Sequence, residues 1–325
     1  MKITVVGLGL IGGSIAIDLR AAGISQRLIG VEENLQHCEQ AMARNLVDEI
    51  LPLASAVQTA DCVILAVPVG AISRLLPAIL DLVGPGTTVT DMGSTKSLIV
   101  KSVSTHKNRR QFVAAHPMAG TEFSGPLAAH AGLFSSRTAV ICDAEDSGPE
   151  HLARVEKIFS SLRMRLVRMK ADEHDLQTAF VSHLSHISSF VLANTVLEKE
   201  RDTRAIFDLA GGGFESTVRL AKSSPAMWSP IFEQNCENVL LALDSYIRHL
   251  QEFAASLRQN DFAQAEKLMK NANQIGRVLH SVSQAGTQSE SQVGSSVASR
   301  LDKQAGSQTE SPIQKSKSPG ASNDS

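Results

Sequence analysis

Cysteine, charge imbalance and long apolar runs are all scarce in this chain. Its four cysteines, Cys38, Cys62, Cys142 and Cys236, are scattered through 325 residues with no Cys-x-x-Cys pair. That spacing excludes a small disulfide framework and a zinc knuckle, and it fits reduced thiols in a cytosolic protein. Lysine plus arginine (31) nearly matches aspartate plus glutamate (33), for a net charge of −2. Such a balance gives neither nucleic acid nor an anionic membrane surface a partner. The first apolar run, Ile3–Val6, is too short for a signal sequence and ends in glycines, and no stretch approaches the ~20 apolar residues of a membrane span. A soluble, cytoplasmic protein is expected.

With 43% hydrophobic residues, the chain is not wholly disordered, and its length suits about two domains. Ile3–Val6, Leu28–Val31, Cys62–Val67, Thr87–Asp91 and Phe112–Ala115 read as continuous apolar strands with helical spacing between them. Such strands predict a parallel sheet covered on both faces, and Asn34, Ser94 and Thr95 stand where helix caps are expected. After Met169 the pattern turns helical. Ala171–Lys199 has neither glycine nor proline, Gly211–Gly213 breaks the run, and a second long helix is predicted from about Pro230 to Leu257. Along it Cys236, Val239, Leu243, Ile247, Leu250, Phe253 and Leu257 form a stripe that suits either core or a dimer seam. Asp261–Leu279 predicts a last helix. The expected fold is α/β: a Rossmann-type doubly wound sheet over residues 1–168, then an all-α dimerisation domain over 169–280. Residues 281–325 are serine-rich, lack aromatics and read as a disordered tail.

Gly7-Leu8-Gly9-Leu10-Ile11-Gly12 follows a strand and opens a helix. The first glycine permits the turn, the second lets the backbone approach a pyrophosphate, and the third allows close helix–strand packing beneath free N–H groups. Glu32 lies twenty residues after Gly12, past the second strand. A carboxylate there accepts from ribose hydroxyls and repels a 2′-phosphate, so NAD is expected rather than NADP. Val67 and Pro68, at the end of the third strand, are expected to line the same site. Further along, His183 and His186 are three apart on one helix face. No His-Glu-x-x-His pattern accompanies them and no third ligand suggests itself, so no metal is expected.

Three strand-end or helical segments complete the pattern: Asp91-Met92-Gly93-Ser94-Thr95-Lys96, His116-Pro117-Met118-Ala119-Gly120-Thr121-Glu122 and Ser182-His183-Leu184-Ser185-His186. With the glycine loop they resemble the prephenate/arogenate dehydrogenase family of tyrosine biosynthesis over about residues 1–280. Ser185 stands where the family usually has proline. Gly211-Gly212-Gly213-Phe214, Arg219 and Pro225-Ala226-Met227-Trp228 match its C-terminal signature, although Glu215-Ser216 replaces the frequent Arg-Asp.

The resemblance implies NAD-dependent oxidative decarboxylation of prephenate to 4-hydroxyphenylpyruvate, with arogenate as the alternative substrate. An NAD-sensing or scaffold protein without turnover is the reading from another class. A neutral imidazole at His116 can take the hydroxyl proton as hydride leaves. Ser94 is implied to hydrogen-bond His116 and the substrate hydroxyl, although it would serve equally as a helix cap. His186 and His183 are implied to face the substrate, with Thr121 and Glu122 at the pocket mouth and Trp228, the only tryptophan, in its wall. The planar fork of Arg219 suits a side-chain carboxylate, and a surface salt bridge is its other reading. For arogenate, Glu215 is a candidate partner of the ammonium. The expected partners are this small-molecule substrate and a second copy of the chain through the C-terminal helices.

Overall fold

A computed structural model describes residues 1–202 and 206–280; the expected serine-rich tail lies outside the described residues. Eight strands form one sheet: β1 (Lys2–Val6), β2 (Arg27–Val31), β3 (Glu49–Ile50), β4 (Cys62–Leu65), β5 (Thr88–Asp91), β6 (Phe112–Pro117), β7 (Thr138–Cys142) and β8 (Arg165–Met169). Their order is β3-β2-β1-β4-β5-β6-β7-β8, parallel through β6. The direction of winding reverses between β1 and β4, where doubly wound sheets open a crevice at their carboxyl ends.

The helices that cover it are α1 (Leu10–Ala21), α2 (Leu35–Ala43), α3 (Leu53–Gln58), α4 (Val69–Leu82), α5 (Ser97–Lys101) and α6 (Pro149–Ser161). Alternation along the strands sorts side chains onto two faces. Ile3, Val5, Ile64 and Val113 join one buried cluster, whereas Val6, Val63, Leu65 and Phe112 join the other. Each fully buried Ile, Leu or Phe contributes roughly 1.5–3 kcal/mol. Cys62 and Cys142 lie inside as free thiols, and burial pushes each up to about 12.

Three strands differ from the sequence reading. β3 has only two residues, too few to show a period. β7 runs antiparallel to β6. β8 reads Arg-Leu-Val-Arg-Met at the sheet edge, and its charged residues hide the strand pattern. The third predicted strand also stops at Leu65, so Val67 and Pro68 lie in the turn before α4.

Beyond the sheet come α7 (Ala171–Thr178), a π-helical turn (Ala179–His183), α8 (Leu184–Asp202), α9 (Gly212–Val218), α10 (Pro225–Gln234), α11 (Cys236–Arg258) and α12 (Phe262–Ala272). The first long predicted helix therefore carries a π bulge at its histidines. The second breaks at Asn235 rather than starting at Pro230, which sits inside α10. Met1–Ala255 forms one compact unit. In the residues after it, Asp261 caps α12 by accepting from the Gln264 N–H at 2.9 Å.

The expected apolar stripe on α11 divides. Val239 packs beside Ala242 in the core, while Ile247 and Leu250 are exposed, as are Leu240 and Leu241. One helical run, Ala171–Arg201, is long and apolar enough to cross a membrane, with a mean hydropathy of 1.2. This departs from the expectation that no stretch approaches a membrane span, and it does so by length and composition only. Few of its apolar residues are covered within a single chain.

Candidate active site

The carboxyl ends of β1, β4, β5 and β6 bring the predicted segments to one side of the sheet. At β1, Gly7 has φ +91°. A Cβ on Gly12 would lie 1.9 Å from the Gly7 carbonyl oxygen, so no side chain fits there. Nothing approaches a Cβ position on Gly9 closer than the Gly125 nitrogen at 4.0 Å. The loop is thus tight beneath and open above, with Leu10 and Ile11 starting α1 at its rim. That is the cradle a pyrophosphate needs at a helix N-terminus.

Glu32 stands at the end of β2, held by three backbone groups. Its carboxylate accepts from the N–H of Leu8, Glu33 and Asn34, each at 3.1 Å. Asn34 caps α2 by accepting from the His37 N–H at 3.0 Å. Val67 lies beside the first glycine, since a Cβ on Gly7 would come within 2.8 Å of its Cγ1. These residues fit a dinucleotide whose ribose is free of a 2′-phosphate.

The segment after β5 is fixed by buried ions. Lys96, fully buried, bonds both the Asp91 carboxylate and, at 2.8 Å, the carbonyl of Ala115. Asp91 also accepts from the Gly93 and Ala115 N–H groups. This network ties the Ser94 turn to the strand that carries His116. Neither Ser94 nor Thr95 caps α5. The carboxylate of Asp175 on α7 does so, accepting from the N–H of Lys96 (2.7 Å) and Ser97 (2.8 Å). A cap supplied from 78 and 79 residues away leaves no local signal.

His116 is buried near the end of β6. Its hydrogen-bond partner is His174, not the expected Ser94: Nδ1 lies 2.8 Å from His174 Nε2, and His174 Nδ1 lies 2.8 Å from Asp175 Oδ1. Among the described residues no group bonds Nε2 of His116. Burial, with His174, Lys96 and His183 nearby, holds His116 well below its ordinary pKa, so it is neutral at pH 7. Asp175 is held below the usual carboxylate range: hydrogen bonds from His174 and the Ser97 N–H outweigh the opposing, largest influence of burial. Neither His174 nor Asp175 was singled out from the sequence. Their adjacency just inside a helix start was the sole available hint.

The two helical histidines have different surroundings. His183 is buried, 3.2 Å from Asn235 Nδ2 and edge-on to Trp228, and burial lowers it to about 4. It is a packed residue, because the π turn directs it inward. His186 is half-buried, stacks on Trp228 with centroids 3.6 Å apart, and bonds the Ser182 carbonyl through Nδ1 at 3.0 Å. Burial, then the positive charge of Arg219, lowers its pKa.

Arg219 follows α9 and pairs with Glu122 at 2.9 Å. Glu122 sits below the usual carboxylate range, first through a hydrogen bond with its own backbone and then through Arg219. Thr121, half-buried in the same loop, accepts from the Phe123 N–H at 3.2 Å. Glu215 is exposed and faces Lys222 at 4.0 Å rather than Arg219.

This arrangement can hold a dinucleotide at one end, a carboxylate at the other, and a proton acceptor between them. Residues 15–168 match the nucleotide-binding domain of prephenate dehydrogenase, and residues 170–271 match its dimerization domain. The chain belongs to the prephenate dehydrogenase family. The prephenate dehydrogenase of Lactococcus lactis is 30% identical over 282 residues, covering 86% of this chain and 77% of that protein. A crystal structure of the A. aeolicus prephenate dehydrogenase, with hydroxyphenyl propionate and NAD+, is similar at a TM-score of 0.76 and 27% identity, covering 86% and 97% of the two chains. Synechocystis arogenate dehydrogenase is similar at a TM-score of 0.67 and 31% identity, covering 84% and 98%. As a member of a dehydrogenase family with its nucleotide-binding domain, the protein is an oxidoreductase. The glycine loop itself precedes the matched segment, so its assignment rests on its own geometry.

Proposed function

We propose that this dehydrogenase oxidises prephenate with NAD, releasing carbon dioxide and 4-hydroxyphenylpyruvate in the cytoplasm. The observation that carries the reading is His116: a buried, neutral imidazole whose Nε2 is unengaged among the described residues, on the strand end next to the Lys96–Asp91 lock. Gly7, Gly9, Leu10, Ile11, Gly12, Glu32, Val67 and Pro68 would hold the dinucleotide, which supplies the hydride acceptor when bound. His116 Nε2 takes the proton of the ring hydroxyl as that carbon is oxidised. Ser94, half-buried in the strand-end turn, hydrogen-bonds the same hydroxyl. Arg219 exchanges Glu122 for the substrate side-chain carboxylate, and His186 on Trp228 forms the wall beside it. Aromatisation drives loss of the ring carboxylate, so the residues need only orient the ring and exclude water.

Arogenate remains a second reading on one specific observation. Once Arg219 binds the substrate carboxylate, Glu122 is a released anion at the end where arogenate carries its ammonium. Glu122 takes the place first given to Glu215, because Glu215 is turned to Lys222 and solvent. The exposed apolar residues of the π turn, α8 and α11, including Val181, Val191, Leu240 and Leu250, support a homodimer. The functional division is 1–168 for the dinucleotide and 169–280 for substrate and dimer. Steady-state turnover of prephenate and of arogenate with NAD tests the reading. A higher kcat/KM for prephenate supports it, a higher one for arogenate favours the second reading, and no turnover of either removes both.

A further inference from the structure

His116, His174 and Asp175 form a chain whose donors and acceptors have fixed places. Asp175 is ionised and accepts from the Lys96 N–H through the same Oδ1 that faces His174. His174 Nδ1 must therefore carry a hydrogen. A 2.8 Å hydrogen bond between two ring nitrogens holds one hydrogen, and with the His174 hydrogen placed on Nδ1 it is His116 Nδ1 that donates. The proton of neutral His116 then sits on Nδ1, and its free electron pair is on Nε2. All three side chains are buried, and the two rings meet edge-on at 5.1 Å between centroids.

We propose that His174 and Asp175 are positioning residues that fix the tautomer of His116 and receive the proton it displaces. This rests on the reading of His116 as the base. When Nε2 takes the substrate hydroxyl proton, the Nδ1 proton moves to His174 Nε2. One proton enters the pair and none leaves it. His116 returns to a neutral ring with the hydrogen on Nε2, and the positive charge rests on His174 beside the Asp175 carboxylate. The cation is thus held against a carboxylate rather than on His116, where Lys96 and His183 oppose a positive charge. The charged and titratable groups facing His116 are His174, Lys96 and His183, with Asp175 behind His174 and Asp91 behind Lys96.

Three variants, with kcat and KM measured across pH, test the relay. His174→Phe removes both the acceptor and the proton carrier while filling the space. His174→Gln keeps an acceptor for Nδ1 but cannot carry a proton. Asp175→Asn removes the charge, and also weakens the α5 cap. The expected result for His174→Phe and Asp175→Asn is a kcat about ten- to a hundredfold lower, little change in KM or NAD affinity, and an acidic limb displaced to lower pH. That direction follows because the protonated base loses its stabilising partner. His174→Gln should recover part of the loss. A merely structural role predicts the opposite limb movement, since loosened packing hydrates His116 and lets its pKa rise toward the ordinary value. Wild-type kcat and limb position in both His174→Phe and Asp175→Asn, or a limb that moves upward, would overturn the relay. A His116→Asn enzyme measured alongside separates the two claims: if it stays active the base itself is wrong, and if it is inactive while the others are normal only the relay fails.

Discussion

Replacing Arg219 by alanine separates substrate holding from chemistry. Losing a charged hydrogen-bonding partner typically costs about 1.5–3 kcal/mol. Arg219 is not free before substrate arrives, because its Nη1 lies 2.9 Å from Glu122 and its side chain is 50% exposed. Substrate gains only the difference between its own carboxylate and Glu122, which lowers the expected loss to about 1–2 kcal/mol, or a ~5–30-fold rise in KM. An exposed pair of this kind adds little to folding, so the thermal midpoint should hardly move. Steady-state kinetics with saturating NAD read the effect: KM rises while kcat stays near wild type, as for a group that binds ground and transition states alike. Lysine should rescue partly, since it keeps the charge and loses the fork. Glu122→Gln should act in reverse, lowering KM for prephenate a few-fold by removing the competitor. A collapse of kcat at unchanged KM would place Arg219 at the reacting centre. Unchanged kinetics would make its pairing with Glu122 a surface salt bridge and nothing more.

Glu32→Ser should narrow the preference for NAD over NADP, since the carboxylate held by three N–H groups is the charge a 2′-phosphate would meet; a wild-type enzyme that prefers NADP contradicts this. Acid should destabilise the fold through His183. In the unfolded chain it takes a proton below about 6.5, whereas in the folded protein it does so only near 4. Stability is therefore lost as pH falls from 6.5 toward 4, by up to roughly 3 kcal/mol. Urea titrations of wild type and His183→Gln over that range should show a shallower slope for the variant, and equal slopes would refute the assignment. Light scattering at micromolar concentration should give a dimer, shifted toward monomer by Leu250→Asp on the exposed face of α11, and a wild-type monomer would remove the seam.

Much of this was legible in residue spacing. Five strands, the glycine turn and the acidic residue after β2 follow from local rules, because a parallel strand, a helix start and a tight turn each leave a signal within a few residues. Two of the three additional strands leave none, since β3 is too short and β8 is charged at the sheet edge, whereas β7, Thr-Ala-Val-Ile-Cys, is an apolar run of the same kind as the five. The candidate site divides the same way. His116, Ser94 and Arg219 stand in recognisable segments, whereas His174 and Asp175 act only because folding brings α7 against β6 and α5. Their role is a contact across 58 residues for the histidine pair, and no periodicity encodes that. His183 and His186 look equivalent three residues apart, yet the π turn buries one and leaves the other beside Arg219. The helix break at Asn235 is likewise tertiary: its side chain donates to the Asp175 carbonyl at 2.7 Å.

The central claim is that His116 Nε2 accepts the substrate hydroxyl proton, and His116→Asn tests it most directly. Asparagine keeps a polar group of similar reach at Nδ1 and removes Nε2. Turnover of prephenate with NAD should fall by about 10²–10⁴, while NAD affinity, read by fluorescence titration, should stay within a few-fold because the proposed cofactor residues, Gly9 and Glu32, stand on other segments. Turnover within a few-fold of wild type would contradict the account.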